Sequence, residues 1–319
     1  MPVSREQDPS DVLSRREVLV TAAGAAVGSS LASLPASAEA GSRLRPLGKT
    51  GQQVLPFSLG GEGVLRTVGR SKEAVAVILE ALRLGVRYCD TAPAYSQSQD
   101  YYGEAFREAG AGARDKVLLA SKTHDRSRDG SLRLLQDTLR RIGTDRLDVW
   151  QLHDLRTRDD LERIFKKGGA LEAVEEAKRQ KLIRFAGITG HHDPAILVEA
   201  MGRYPFDTVL CAINPSDPRR LPFLTTVVAE ARKRNMAVIA MKVLGAGEIV
   251  RAKSAKPDEL LRYAVTHADT AIIGCSSPAE VRENMAAAER FTPMTTEELR
   301  AIETRLAPAA HQFDSYKRG

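Results

Sequence analysis

Eight short, mostly apolar runs, at residues 57–61, 86–92, 116–123, 147–153, 183–189, 208–213, 237–244 and 270–274, alternate along the chain with segments of helical period. That alternation constrains the fold more than any other feature. A run without strict polar alternation suits a strand buried on both faces, and such strands belong to parallel sheets covered by helices. Between the runs, Ala74, Val77, Ile78, Ala81 and Leu82 fall three and four apart, as do Leu132, Leu135 and Leu139, and Leu171, Val174 and Ala177. Each set draws one apolar stripe fit to lie on a sheet. Ser71, Ser131, Asp193 before Pro194 and Ser277 before Pro278 read as helix caps. Eight such units predict an α/β fold, a closed (β/α)8 TIM barrel. An open doubly wound sheet would want a phosphate-binding turn after its first strand, and Leu59-Gly60-Gly61-Glu62-Gly63 lacks the spacing of a dinucleotide fingerprint. Ahead of the first run, residues 44–54 read as a β-hairpin turning at Lys49-Thr50-Gly51, placed to plug the barrel bottom.

The first forty residues read as a separate segment. Ser14-Arg15-Arg16-Glu17-Val18-Leu19 precedes an Ala- and Gly-rich stretch at 20–34, and Ala38-Glu39-Ala40 supplies small residues at a cleavage-site spacing. This resembles a twin-arginine export signal, with Val18 standing where that pattern favours Phe. The resemblance divides the chain into a signal peptide at 1–40 and a barrel domain at 41–319. It implies an exported, periplasmic or otherwise extracytoplasmic protein that engages the twin-arginine export machinery. The apolar stretch is too short and too rich in Gly and Ser for a stable membrane span. Cys89, Cys211 and Cys275 are odd in number and sit inside apolar runs, as buried small hydrophobes do. The net charge of +6 is dispersed and only 5% of residues are aromatic, which excludes a polyanion groove and argues against a nucleic-acid partner.

Four polar residues mark the strand ends where a parallel barrel gathers its chemistry: Asp90 in the second run, Lys122 in the third, His153 closing the fourth, and Tyr95 in the loop after the second. Singly, each has an ordinary explanation: Asp90 and Lys122 could form a structural ion pair, His153 a satisfied core histidine, Tyr95 a rim aromatic. Their joint occurrence on successive units points to an active site. His191 and His192 follow the fifth run and, with His124, face the barrel mouth; they read as surface-loop histidines, of which one could touch a ligand. A metal set of Asp90, His124, His153 and His191 lacks any paired ligand motif, so no metal site is assigned.

The hairpin RPLGKTGQQV, then GVRYCDTAPAY with GEAF, VLLASK, LDVWQLH, AGITG and finally IIGCSSPAEVRENMAA, in that order from about Leu44 to Pro308, together resemble the aldo-keto reductase family. The resemblance implies an oxidoreductase that moves a hydride between NAD(P)H and a small-molecule aldehyde, ketone, sugar or alcohol. Tyr95 would be the general acid/base, Lys122 would lower its pKa, Asp90 would hold the lysine, and His153 would orient the substrate oxygen. Cofactor contacts fall on Gly61, Thr189, Gly190, Met241, Lys242, Leu244, Gly274, Ser276, Glu280 and Asn284. Several depart from the family pattern: Thr189-Gly190 replaces Ser-Asn, Leu210 replaces a glutamine, and Met241 replaces the tyrosine under the nicotinamide. Gly274 and Glu280 stand where a lysine and an arginine often hold the 2'-phosphate, which favours NAD over NADP unless Arg282 or Lys253 restores the charge. The tail after residues 296–306 is short, with little wall for a large apolar ligand, so sugars, polyols or small aldehydes are expected. Two other classes remain open at this point: a nicotinamide-binding sensor or assembly subunit with little turnover, and a metal-dependent hydrolase or isomerase.

Overall fold

Every apolar run becomes a parallel strand because each is flanked by a helix long enough to cross back over the sheet. The computed structural model describes residues 44–317. The proposed signal peptide at 1–40 lies outside the described residues. In chain order the strands are β1 (Arg45–Pro46), β2 (Gln53–Val54), β3 (Phe57–Gly63), β4 (Tyr88–Asp90), β5 (Leu118–Thr123), β6 (Leu147–Leu152), β7 (Ile183–Gly190), β8 (Thr208–Ala212), β9 (Ala237–Met241) and β10 (Thr270–Cys275). The helices are α1 (Ser71–Arg83), α2 (Ser98–Ala109), α3 (Arg128–Ile142), α4 (Arg158–Phe165), α5 (Ala170–Arg179), α6 (Pro194–Arg203), α7 (Ala229–Lys233), α8 (Glu248–Arg251), α9 (Pro257–His267), α10 (Pro278–Glu289), α11 (Thr296–Leu306) and α12 (Ala310–Phe313). Strands β3 to β10 close on one another through the β10–β3 pair, which gives the expected (β/α)8 barrel.

Inside the barrel, Tyr88, Leu118, Ala120, Val149, Leu210 and Ile239 pack as one cluster, joined from below by Leu47 and Val54 of the β1–β2 hairpin. Gly48 shows how close that plug lies. A Cβ there would stand 2.3 Å from the backbone nitrogen of Ala237 at the start of β9, and its φ of 49° is left-handed, so only glycine fits. A larger apolar layer fills the space between barrel and helices, with α1 contributing Ala74, Val75, Val77, Ile78 and Ala81. The three cysteines are buried and unbridged, as read from the sequence. Among the described residues no helix is long and apolar enough to cross a membrane.

Local chemistry moves several boundaries. Asp193 accepts from Ala195 N and Ser277 from Glu280 N, as caps should, but Ser71 is the first residue of α1 and uses its hydroxyl on Glu104. Helix α3 starts four residues earlier than expected, because Ser127 caps Gly130 N; Ser131 is instead buried against Thr123 and the Asp125 carbonyl. β9 stops at Met241 although the apolar run continues to Leu244. Lys242 at φ 55° turns the chain out of the sheet.

The C-terminal tail does more than the sequence suggested. It folds back across the barrel mouth, where the Tyr316 hydroxyl accepts from Asn214 (2.8 Å), and Lys317, fully buried, meets Asp217 Oδ1 at 2.6 Å.

Candidate active site

Asp90 ends β4, Lys122 sits one residue from the end of β5 and His153 follows β6, so in-register pairing of Asp90 with Ala120 and of Lys122 with Gln151 brings their side chains to one end of the barrel. Tyr95 hangs over them from the β4–α2 loop, where its N–H donates to the Ala92 carbonyl. The lysine ammonium donates to Asp90 Oδ2 at 2.6 Å and to the Thr91 carbonyl at 2.9 Å. It lies 4.7 Å from the centroid of the Tyr95 ring. The His153 ring meets Tyr95 edge-on, 5.8 Å between centroids, and the Arg66 guanidinium stands 5.5 Å from that ring. Gly61 completes the cage: a Cβ there would lie 2.5 Å from a Tyr95 ring carbon, so β3 admits no side chain at this point. The four predicted residues are thus brought together.

Their electrostatics differ from expectation in one respect. Lys122 spends its hydrogen bonds on Asp90 and Thr91 and faces the tyrosine ring. Burial, followed by the charges of Asp90 and Glu62, pushes the Tyr95 phenol well above its ordinary pKa, with Arg66 opposing. The expected net acidification by Lys122 is therefore absent; the phenol stays protonated, the form a proton donor requires. Burial also pushes Asp90 up and Lys122 down, each opposed by the other's charge. His153 falls well below its usual pKa because it is buried and near Lys122, which leaves a neutral imidazole with one N–H to donate.

Two cavities meet at this cluster and share Glu62, Tyr95, Met241 and Lys242. The first, about 480 Å³, is a groove along the ends of β3, β9 and β10. Gly61, Met241, Lys242, Leu244, Gly274 and Ser276 all line it. The turn after β9 is strained, with Lys242, Gly245, Ala246 and Gly247 all at positive φ, as is common where backbone is bent around a ligand. Lys242 and Arg251 place two cations on the groove and Met241 an apolar face, a donor set that suits a pyrophosphate and a flat ring. The second cavity, about 640 Å³, opens on the other side of Tyr95 and is lined mostly by polar and charged residues, among them Arg126, His153, Asp154 and Thr189.

Not every predicted contact lands there. Thr189 lines the 640 Å³ cavity rather than the groove, and its hydroxyl accepts from Asp154 N. Gly190, Glu280 and Asn284 line neither cavity. At Gly190 a Cβ would lie 2.9 Å from the Leu155 carbonyl oxygen, so its smallness serves the packing of β7. Glu280 turns back to accept from Ser276 N, and Asn284 is buried with its amide on Cys275. His191 and His192 are not surface histidines: their side chains are only 18% and 11% exposed, and they converge on Asp154. The set Asp90, His124, His153 and His191 does not assemble; among the described residues the one cluster of metal-ligating geometry is Asp154, His191 and His192. Sequence reasoning passed over Glu62 and Arg251. A lone carboxylate inside Gly60-Gly61-Glu62-Gly63 was a visible signal; Arg251 gave none, since only the turn after β9 aims it at the groove.

Comparison with known proteins agrees with this geometry. A sequence model of the Aldo/keto reductase family matches residues 58–260. The protein described as uncharacterized oxidoreductase YqkF from Bacillus subtilis is 26% identical over 302 residues, covering 80% of this chain and 95% of that protein. L-galactose dehydrogenase from Arabidopsis thaliana is 25% identical over 310 residues, covering 83% and 94%. Among solved structures, the holo form of aldo-keto reductase AKR11C1 from Bacillus halodurans superposes with a TM-score of 0.69 at 23% identity, covering 82% of this chain and 96% of that one, a likeness of fold.

Proposed function

The chain belongs to the aldo/keto reductase family, an NAD(P)-dependent oxidoreductase of carbonyl compounds, and from that premise we propose that it reduces a small hydroxylated aldehyde or sugar with NADH. One observation carries the reading: a protonated Tyr95 lines both a cation-bearing groove and a polar cavity, so one phenol can reach a carbonyl that meets both. A dihydronicotinamide nucleotide, held in the groove by Met241, Lys242 and Arg251, would supply the hydride. Tyr95 donates its proton to the carbonyl oxygen, and the neutral His153 donates an N–H that fixes that oxygen in place. As the phenolate forms, Lys122, held by Asp90 at 2.6 Å, offsets its charge from beside the ring. Gly61 keeps β3 clear so that the ring can adopt this position.

The polar wall of the 640 Å³ cavity supports a hydroxylated substrate, and similarity to L-galactose dehydrogenase points the same way. Two contacts support NADH over NADPH. Arg282 is engaged with Glu80 at 2.9 Å, and Gly274 offers no charge at the groove end. A free ribose diol needs no cation there, whereas a 2'-phosphate would meet neither Arg282 nor a charge at Gly274. Fluorescence titration of the purified protein should therefore give at least about tenfold tighter binding of NADH than of NADPH, the step that one lost charge-assisted hydrogen bond of 1.4 kcal/mol or more produces. Tighter NADPH binding would reverse the assignment.

A further inference from the structure

We propose that Asp154 Oδ1, His191 Nε2 and His192 Nε2 form a binding site for a divalent transition-metal ion of the zinc class at the wall of the substrate cavity. All three atoms lie within 4.8 Å of one another, and the carboxylate oxygen is 3.5 Å from His191 Nε2 and 3.4 Å from His192 Nε2. Two ligands each about 2.0–2.1 Å from a tetrahedral ion stand roughly 3.4 Å apart, so these spacings already match coordination, whereas they are long for a hydrogen bond.

Hydrogen bonding within the cluster is incomplete in the way an absent cation would leave it. Asp154 Oδ1 and His192 Nε2 are buried and make no hydrogen bond. His191 Nδ1 is 2.8 Å from the Tyr316 carbonyl, an acceptor, so the N–H of a neutral ring is on Nδ1 and Nε2 presents its lone pair to Asp154 Oδ1. Two acceptors then face each other across 3.5 Å, an arrangement that a cation between them resolves. Such a carbonyl partner on the far ring nitrogen is also what orients metal-bound histidines in general. The other carboxylate oxygen is taken by Arg156 at 2.7 Å, which fixes the carboxylate and leaves Oδ1 for the ion. Asp154 itself is held at a left-handed φ of 55°, and the two imidazole rings lie 4.3 Å apart, tilted by 37°.

Asp154 and His191 also line the 640 Å³ cavity. The remaining coordination positions of the ion can take water or an oxygen of a hydroxylated substrate.

Isothermal titration of the chelator-stripped full chain with ZnSO4, in the absence of nucleotide and substrate, tests the site independently of the reductase reading. The expected result is one Zn²⁺ per chain. His192→Ala should lower affinity at least about tenfold, since changes merely next to metal ligands cost roughly 10–100-fold, while His124→Ala, a histidine outside the cluster, leaves it unchanged. Substituted Co²⁺ should show the visible bands of a tetrahedral site. Absence of stoichiometric binding to the wild-type chain overturns the proposal whatever the variants do, as does wild-type affinity in His192→Ala and Asp154→Asn.

Discussion

Tyr95→Phe lowers kcat for carbonyl reduction by about 10²–10⁴-fold and leaves nucleotide affinity within about twofold of the wild type. The substitution removes one oxygen. The ring that packs against Gly61, lies 4.7 Å from the Lys122 ammonium and meets His153 edge-on remains. What is lost is the proton that neutralises the alkoxide, equivalent to about 3–5 kcal/mol of transition-state stabilisation. Because burial and the charges of Asp90 and Glu62 hold the phenol above its ordinary pKa of 10.0, the wild-type rate should show no loss from phenol ionisation below pH 10. Steady-state kinetics with parallel fluorescence titration checks both halves. A variant that reduces its substrate at the wild-type rate removes Tyr95 from the chemistry.

The second large effect is on stability and concerns the C-terminal tail. Lys317→Met should destabilise the fold by about 3–5 kcal/mol at pH 7, or roughly 6–15 °C in Tm, because it strips the partner from a carboxylate that has no access to water. Lys317 and Asp217 are both 0% exposed, 2.6 Å apart, and the ammonium also reaches the Leu221 carbonyl at 3.2 Å. Burial raises Asp217 to about 6 even with the lysine present. A carboxyl raised in the folded state is favoured there in its protonated form, so its stabilising contribution is present at low pH and is lost as pH rises through about 6. Removing the lysine exaggerates that trend. The deficit of Lys317→Met should therefore shrink when melting is repeated at pH 5, and an equal deficit at both pH values would show that packing rather than charge anchors the tail.

The barrel was legible because eight apolar runs and their amphipathic partners repeat one local pattern, and each repeat is decided within its own thirty or so residues. Asp90, Lys122 and His153 were legible for the same reason: strand ends in a parallel barrel share a face, so position along the run fixes position in space. Properties that depend on where a loop turns were not. The run 237–244 hides the left-handed Lys242 that ends β9 and aims Arg251 at the groove. Ser131 has the composition of a cap, but Ser127 lies nearer the point where the chain leaves β5, and it takes the role. The upward Tyr95 shift comes first from burial and then from the charges of Asp90 and Glu62, and no spacing rule places Glu62 next to a residue thirty-three positions away. His191 and His192 are adjacent in sequence, a spacing that puts two side chains on opposite faces of a strand. Only the bend after β7 and the backbone turn at Asp154 bring them together.

Hydride from a nicotinamide held in the glycine-lined groove would reach a carbonyl carbon in the polar cavity while Tyr95 protonates the oxygen. Incubating the protein with NADH carrying deuterium at both C4 positions of the nicotinamide and a small hydroxyaldehyde, then weighing the product by mass spectrometry, reads that transfer out. One deuterium is expected on the former carbonyl carbon, transferred within a single turnover by the wild type and far more slowly by Tyr95→Phe. Product without deuterium, or label transferred equally fast by both proteins, would contradict it.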